Sequence, residues 1–213
     1  MRFRPAALIL VVATLLTGCA PPVAGPSSTT APIAVESNTP EPEASGVLLL
    51  SAESVTYQHG DDSDVYPLDD GEALLRLLEE LAGRAPDVSP VEGPYDSVWG
   101  TGYEWPGLTV SIPTEGSTRL TVDAPSVGDV RIETANGIAI GSSRADVVAA
   151  GAFDVFDSDG DGVADQFGLD PVEAPGTESL ATPGSAGIIY VLTLIERGTV
   201  VQFELPANDF TDI

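Results

Sequence analysis

Ile188-Ile189-Tyr190-Val191-Leu192-Thr193-Leu194-Ile195, Glu196-Arg197-Gly198, and then Val200-Val201-Gln202-Phe203-Glu204-Leu205 form the stretch on which the fold turns. β-Branched and aromatic residues fill both arms, and the segment between them carries turn chemistry, so an antiparallel hairpin is predicted. Three weaker hairpins precede it. Residues 54–58 pair with 64–68 across a Gly/Asp-rich turn, with Pro67 at an edge because it has no amide hydrogen to donate. Residues 108–112 and 119–123 alternate apolar with polar, as half-buried antiparallel strands do. Val130-Arg131-Ile132-Glu133-Thr134 runs through the turn Ala135-Asn136-Gly137 into Ile138-Ala139-Ile140.

Two helices separate these hairpins. Leu74, Leu77, Leu78 and Leu81 recur at helical spacing and make one apolar stripe. Asp69 is placed as N-cap with Glu72 completing a capping box, Glu72 and Arg76 pair one turn apart, and Gly83 and Pro86 end the helix. A shorter helix follows Gly141-Ser142-Ser143, runs through Val147, Val148 and Ala149, and stops at Gly151. Residues 88–103 are rich in Pro, Gly, Ser and Asp and read as a long loop carrying Tyr95, Trp99 and Tyr103, with Trp105 just beyond. Two roles are open for these aromatics: a platform for a sugar or a partner protein, or closure of a core that has few other aromatic rings.

Hairpin, helix, hairpin thus occurs twice, over 54–124 and 128–207, which suggests a duplicated unit. With each helix covering one face of its own antiparallel sheet, the expected class is α+β. The run Gly137-Ile138-Ala139-Ile140-Gly141-Ser142-Ser143-Arg144-Ala145-Asp146-Val147 resembles a strand-to-helix turn of small α+β domains in exported bacterial lipoproteins. Tandem α+β repeats are also similar to those of secreted β-lactamase inhibitor proteins, although the helical pair and longer meander of that family are not read in this sequence.

The amino terminus has its own logic. Arg2 and Arg4 precede the apolar run 6–16, which is shorter than the roughly 20 residues a membrane-spanning helix needs. Leu16-Thr17-Gly18-Cys19 then resembles the lipobox of bacterial lipoproteins. That resemblance implies a signal peptide over 1–18, lipidation at Cys19, and a protein held on the extracytoplasmic face of the cell membrane. It also accounts for the single cysteine of the chain. Residues 19–46, dense in Pro, Ser and Thr, cannot bury enough apolar area to offset ordering entropy and are expected to be a disordered tether. The globular α+β domain is then 47–213.

Charge narrows the partners. The 213 residues hold 33 acidic side chains against 8 basic ones, a formal −25, and every basic one is arginine. Such a field repels nucleic acid and concentrates cations, so DNA and RNA are excluded as partners. One local cluster has metal chemistry in it: Asp157-Ser158-Asp159-Gly160-Asp161-Gly162-Val163-Ala164-Asp165. Calcium takes about six to eight oxygens, and carboxylates at positions 1, 3 and 5, a backbone carbonyl at 7 and an oxygen at 9 of a tight loop provide them. Asp157, Asp159, Asp161, Val163 and Asp165 occupy those places. The loop resembles those of EF-hands, dockerins and thrombospondin type 3 repeats, which implies a structural calcium ion. Position 12 is Gly168 instead of an acid, leaving Asp154 or Asp170 to complete the shell.

No nucleophile, general base or phosphate-binding loop stands out. The only histidine, His59, sits in a hairpin turn. The expected function is therefore a non-catalytic binding or adaptor role at the cell envelope, with Tyr95, Trp99, Tyr103 and Trp105 as candidate contacts to an envelope protein or ligand. The alternatives are a hydrolase-inhibitor-like module and a glycosidase-like enzyme, the latter needing a cleft with two carboxyls about 5 to 10 Å apart.

Overall fold

Thirteen strands and two α-helices are laid out in the computed structural model, which describes residues 45–210. The signal peptide, Cys19 and all but the last two residues of the tether lie outside the described residues. The first three strands are β1 (Gly46–Leu50), β2 (Ser54–His59) and β3 (Asp62–Pro67), followed by α1 (Gly71–Ala82). Four more come next: β4 (Asp87–Glu92), β5 (Val98–Trp105), β6 (Leu108–Pro113) and β7 (Arg119–Val122). The second half runs β8 (Ser126–Val127), β9 (Val130–Thr134), α2 (Arg144–Ala149), β10 (Phe153–Phe156), β11 (Gln166–Ala174), β12 (Gly187–Glu196) and β13 (Thr199–Asn208).

The class is α+β, as the hairpins and helices implied. The strands form two sheets, one in the order β3-β2-β1-β9-β8 and one in the order β10-β11-β12-β13-β7-β6-β5-β4. The smaller sheet is mixed, because β1 lies parallel to β9 while its other pairings are antiparallel. The larger sheet is antiparallel throughout. Each helix is followed by a four-stranded meander, β4 to β7 and β10 to β13, and the two meanders meet at the β7–β13 pair. Each sheet takes strands from both the 54–124 and the 128–207 stretches.

The β12–β13 hairpin shows why its sequence was so readable. Glu196 faces Thr199 across a two-residue turn, with Arg197 at φ 51° and Gly198 at φ 84°. Two successive positive φ values match the right-handed twist of the strands, and glycine takes the second without Cβ strain. One face of the larger sheet is dry. Trp105, Leu108, Val110, Leu120, Val122, Phe203 and Leu205 are buried, and they share a single core with Leu48, Leu50 and Ile132 of the smaller sheet, Leu74 and Leu78 of α1, and Val147 of α2.

Local readings hold to different degrees. The N-cap of α1 is Asp70 instead of Asp69, and its carboxylate accepts the Ala73 N–H at 3.1 Å. The helix starts one residue later than expected because the Asp70 side chain reaches that amide. Glu72 and Arg76 do pair, at 3.8 Å, and Gly83 ends the helix in a left-handed conformation. Ser143 caps α2 reciprocally with Asp146. Residues 138–140 are not a strand: the Thr134 hydroxyl takes the Ile138 N–H, the Thr134 carbonyl takes the Gly137 N–H, and the chain turns away. Residues 88–103 are not a long loop either. Most of them lie in β4 and β5, whose composition hid a pairing supplied by neighbouring strands. Pro90 fits β4 because that strand is the sheet's edge, as Pro67 fits β3 on the other sheet. Among the described residues no helix is long and apolar enough to cross a membrane.

Candidate functional site

Two places concentrate the residues singled out from sequence. The first is the aspartate loop that joins β10 to β11. Asp157, Asp159 and Asp165 bring one carboxylate oxygen each within 4.8 Å of one another, an oxygen cluster that can hold a divalent metal ion. Both oxygens of Asp157 are tied to backbone, Oδ1 accepting from the Gly160 N–H at 2.7 Å and Oδ2 from the Gly162 N–H at 2.8 Å. These bonds, the Gly162 one foremost, hold the Asp157 carboxyl below the ordinary aspartate range. Asp165 is lowered too, first by the Ser158 hydroxyl at 2.6 Å and then by the Ser158 N–H at 3.1 Å.

A buttress from α2 steadies the loop. The Arg144 guanidinium donates to the Ala164 carbonyl and lies 3.5 Å from Asp165 Oδ1, with the Phe167 ring 5.8 Å beneath it. Asp161 stands outside the oxygen trio, and its Oδ1 instead accepts the Val163 N–H at 2.8 Å. The Val163 side chain is exposed. Of the two acids considered for position 12, Asp170 is engaged elsewhere, taking the Ala52 N–H at 3.1 Å, and Asp154 is exposed on β10.

The second place is the open face of the larger sheet. Directly opposed residues share a face, so the register Asp87–Glu104–Thr109–Thr121–Glu204–Leu192 traces one row across six strands on the side away from the core. Every member of that row is exposed or half-buried, whereas Tyr103–Val110–Leu120–Leu205 in the neighbouring row packs on the core.

The four aromatics separate sharply on this frame. Trp105 is buried, and its indole N–H donates to the Arg84 carbonyl at 3.0 Å, which makes it a core residue. Tyr103 is partly buried against the same core. Tyr95 is fully exposed in the short 3-10 turn Pro94–Asp96, at φ 59°. Trp99 is the one that lines a cleft. Val91 pairs with Gly100 and Glu92 with Val98, so Trp99 has no opposite residue on β4 and forms a bulge. The bulge takes Trp99 out of the strand's alternation, and its indole packs over Gly93, where any Cβ would collide with the ring.

The cleft beside Trp99 has a volume of about 680 Å³. Val91, Val98 and Pro113 from the first meander and Ile189 and Phe210 from the second half supply its apolar wall, while Arg119 and Asn208 supply polar edges. Val98 and Trp99 keep 61% and 57% of their surface exposed, which is unusual for side chains of this size on a paired strand. Sequence reasoning named Trp99 and missed the other lining residues. The alternation in 108–112 and 119–123 did foretell an open face, but nothing local announced that chain segments from both halves would meet on it. His59 lies apart from these groups in its hairpin, 3.1 Å from Asp64 and tilted against the Tyr57 ring.

Compared with models of known protein families, with curated proteins and with solved structures, the chain finds no match.

Proposed function

We propose that the chain is a lipid-anchored, extracytoplasmic lipoprotein with a non-catalytic binding or adaptor role at the cell envelope. The observation that carries the binding role is the Trp99 cleft on the open face of the eight-stranded sheet. Its volume falls within the range of about 300 to 1,000 Å³ seen for ligand pockets. It is lined by exposed apolar side chains placed on paired strands, a rigid support for a contact surface. The anchor rests on Leu16-Thr17-Gly18-Cys19, with Cys19 as the lipidated residue.

The aspartate loop takes a structural calcium ion in this reading. Three clustered carboxylates offer only hard oxygen, and Asp157 and Asp165 are kept ionised by their own hydrogen bonds. The ion would stiffen the β10–β11 connection at the far edge of the sheet that carries the cleft.

A second reading, a hydrolase-inhibitor-like module, is favoured by one finding that sequence did not show: a four-stranded meander follows each helix. Both readings use the same face. The test is cross-linking of the full-length protein in native membranes, comparing wild type with Trp99→Ala. A partner present with wild type and with Tyr95→Ala but lost with Trp99→Ala supports the platform. A partner set unchanged by Trp99→Ala removes it. A hydrolase in the captured band selects the inhibitor reading.

A further inference from the structure

The open face carries a charge pattern that its own fold does not neutralise. Asp87 and Glu104 stand directly opposite each other on β4 and β5, and like charges so placed are destabilising. Glu204 lies on the same row, opposite Thr121. None of the three has an arginine partner among the described residues, where the ion pairs go to Glu72, Glu133, Asp165 and the His59–Asp64 contact. Glu115 adds a further carboxylate at the cleft. Facing these acids, Arg119 is the one cation among the described residues that line the cleft.

We propose that the open face docks a basic protein surface that seats an apolar side chain in the cleft against Trp99. This rests on the platform reading above and names the chemistry of its partner. Charge complementarity selects the partner: a surface of opposite sign relieves the Asp87–Glu104 repulsion, whereas an acidic or neutral one leaves it standing. The cleft supplies the apolar anchor point, and the uncovered indole gives a basic side chain a ring face to lie on. The acids lie within a row or two of the cleft, so one contact patch covers both. Arg119 fixes where such a partner must present an acceptor instead of a cation.

The chain's two tryptophans make the docking directly readable. Trp105 is buried and Trp99 is exposed, so a change in emission on binding reports the cleft. The experiment titrates the full-length protein with a short synthetic peptide of alternating lysine and leucine, and with its counterpart carrying glutamate for lysine. The lysine peptide is expected to shift Trp99 emission to shorter wavelength and to bind more weakly as salt rises. Trp99→Ala, which lacks the reporting indole and is titrated by calorimetry beside the wild type, is expected to lower its affinity about tenfold or more, the loss typical of a central aromatic contact. The triple variant Asp87→Asn, Glu104→Gln, Glu204→Gln should weaken binding and flatten its salt dependence, while Glu79→Gln with Glu80→Gln, two exposed acids on α1, should not.

Equal loss in both charge variants would show that the lysine peptide senses only net charge, and would overturn the proposal. Equal binding of the two peptides would overturn it as well. If cross-linking in membranes depends on Trp99 while neither peptide binds, the basic-partner inference falls and the platform reading stands.

Discussion

At the scale of single residues, the two tryptophans show how far composition can be read and where it stops. Both lie near the end of a segment rich in turn-forming residues, and nothing in the sequence distinguishes their roles. A one-residue bulge does. Trp105 keeps the alternation of β5 and points into the core, while Trp99 is the extra residue and points into the cleft. Trp105→Ala should therefore cost about 3 to 5 kcal/mol of stability, as large-to-small changes at buried aromatics do. Trp99→Ala should stay within about 0.5 kcal/mol of wild type, as surface changes do. Denaturant unfolding of the two variants decides the matter. Equal losses would mean that Trp99 is also part of the core. Gly93 is the hidden partner of this arrangement, because a side chain there would displace the indole.

At the scale of elements, helix starts and stops were legible to within a residue and strand pairing only partly so. The start of α2 was visible in Gly141-Ser142-Ser143 before a short apolar run, while the reciprocal partner Asp146 emerged only with the structure. The leucine stripe of α1 was equally plain. β10 and β11 were not, since the aspartate loop between them reads as a turn of its own and β11 carries Gly168 and Pro171 within its span. Long-range pairing with β12 makes it a strand.

The α2 cap yields a pH expectation. The Asp146 carboxyl is lowered first by the Ser143 hydroxyl and then by the Ser143 N–H. A depressed folded value means its contribution is complete above the unfolded aspartate value of about 3.9 and is lost as pH falls through the lower folded value. Ser143→Ala should move the Asp146 titration, followed by NMR of its carboxyl carbon, up toward the ordinary range. It should also destabilise the protein by about 1 kcal/mol through the lost cap. An unmoved titration would mean that the hydroxyl is not what holds the carboxylate. The aspartate loop has its own test at this scale. Millimolar calcium should raise the melting temperature relative to chelator, and Asp157→Asn should abolish the rise. A melting temperature indifferent to calcium in the wild-type protein would remove the structural-ion reading.

At the scale of the whole molecule, the alternation of strands with two helices was readable, but how the strands would combine into sheets was not. Alternating apolar residues specify which side of a strand is dry and say nothing about which strand lies next to it. The junctions are the parallel β1–β9 pair and the antiparallel β7–β13 pair, and both bring together segments from opposite halves. Ser45 bonds to Asp129 across 84 residues. That separation governs how the protein comes to exist in time. When residues 45–124 have left the ribosome, β1 has no parallel neighbour and β7 has an unfilled edge until β9 and β13 follow. Loops of that length close late, so folding should be slow and single-stage, in the millisecond-to-second range usual for chains dominated by distant pairings. A fragment of residues 45–124 should show no cooperative thermal transition, and mixing it with 125–210 should restore one. A fragment that melts cooperatively by itself would show that the first half is an independent folding unit. Without that independence, the nascent chain passes through synthesis with two strand edges unpaired, and its final residues decide when the first ones become native.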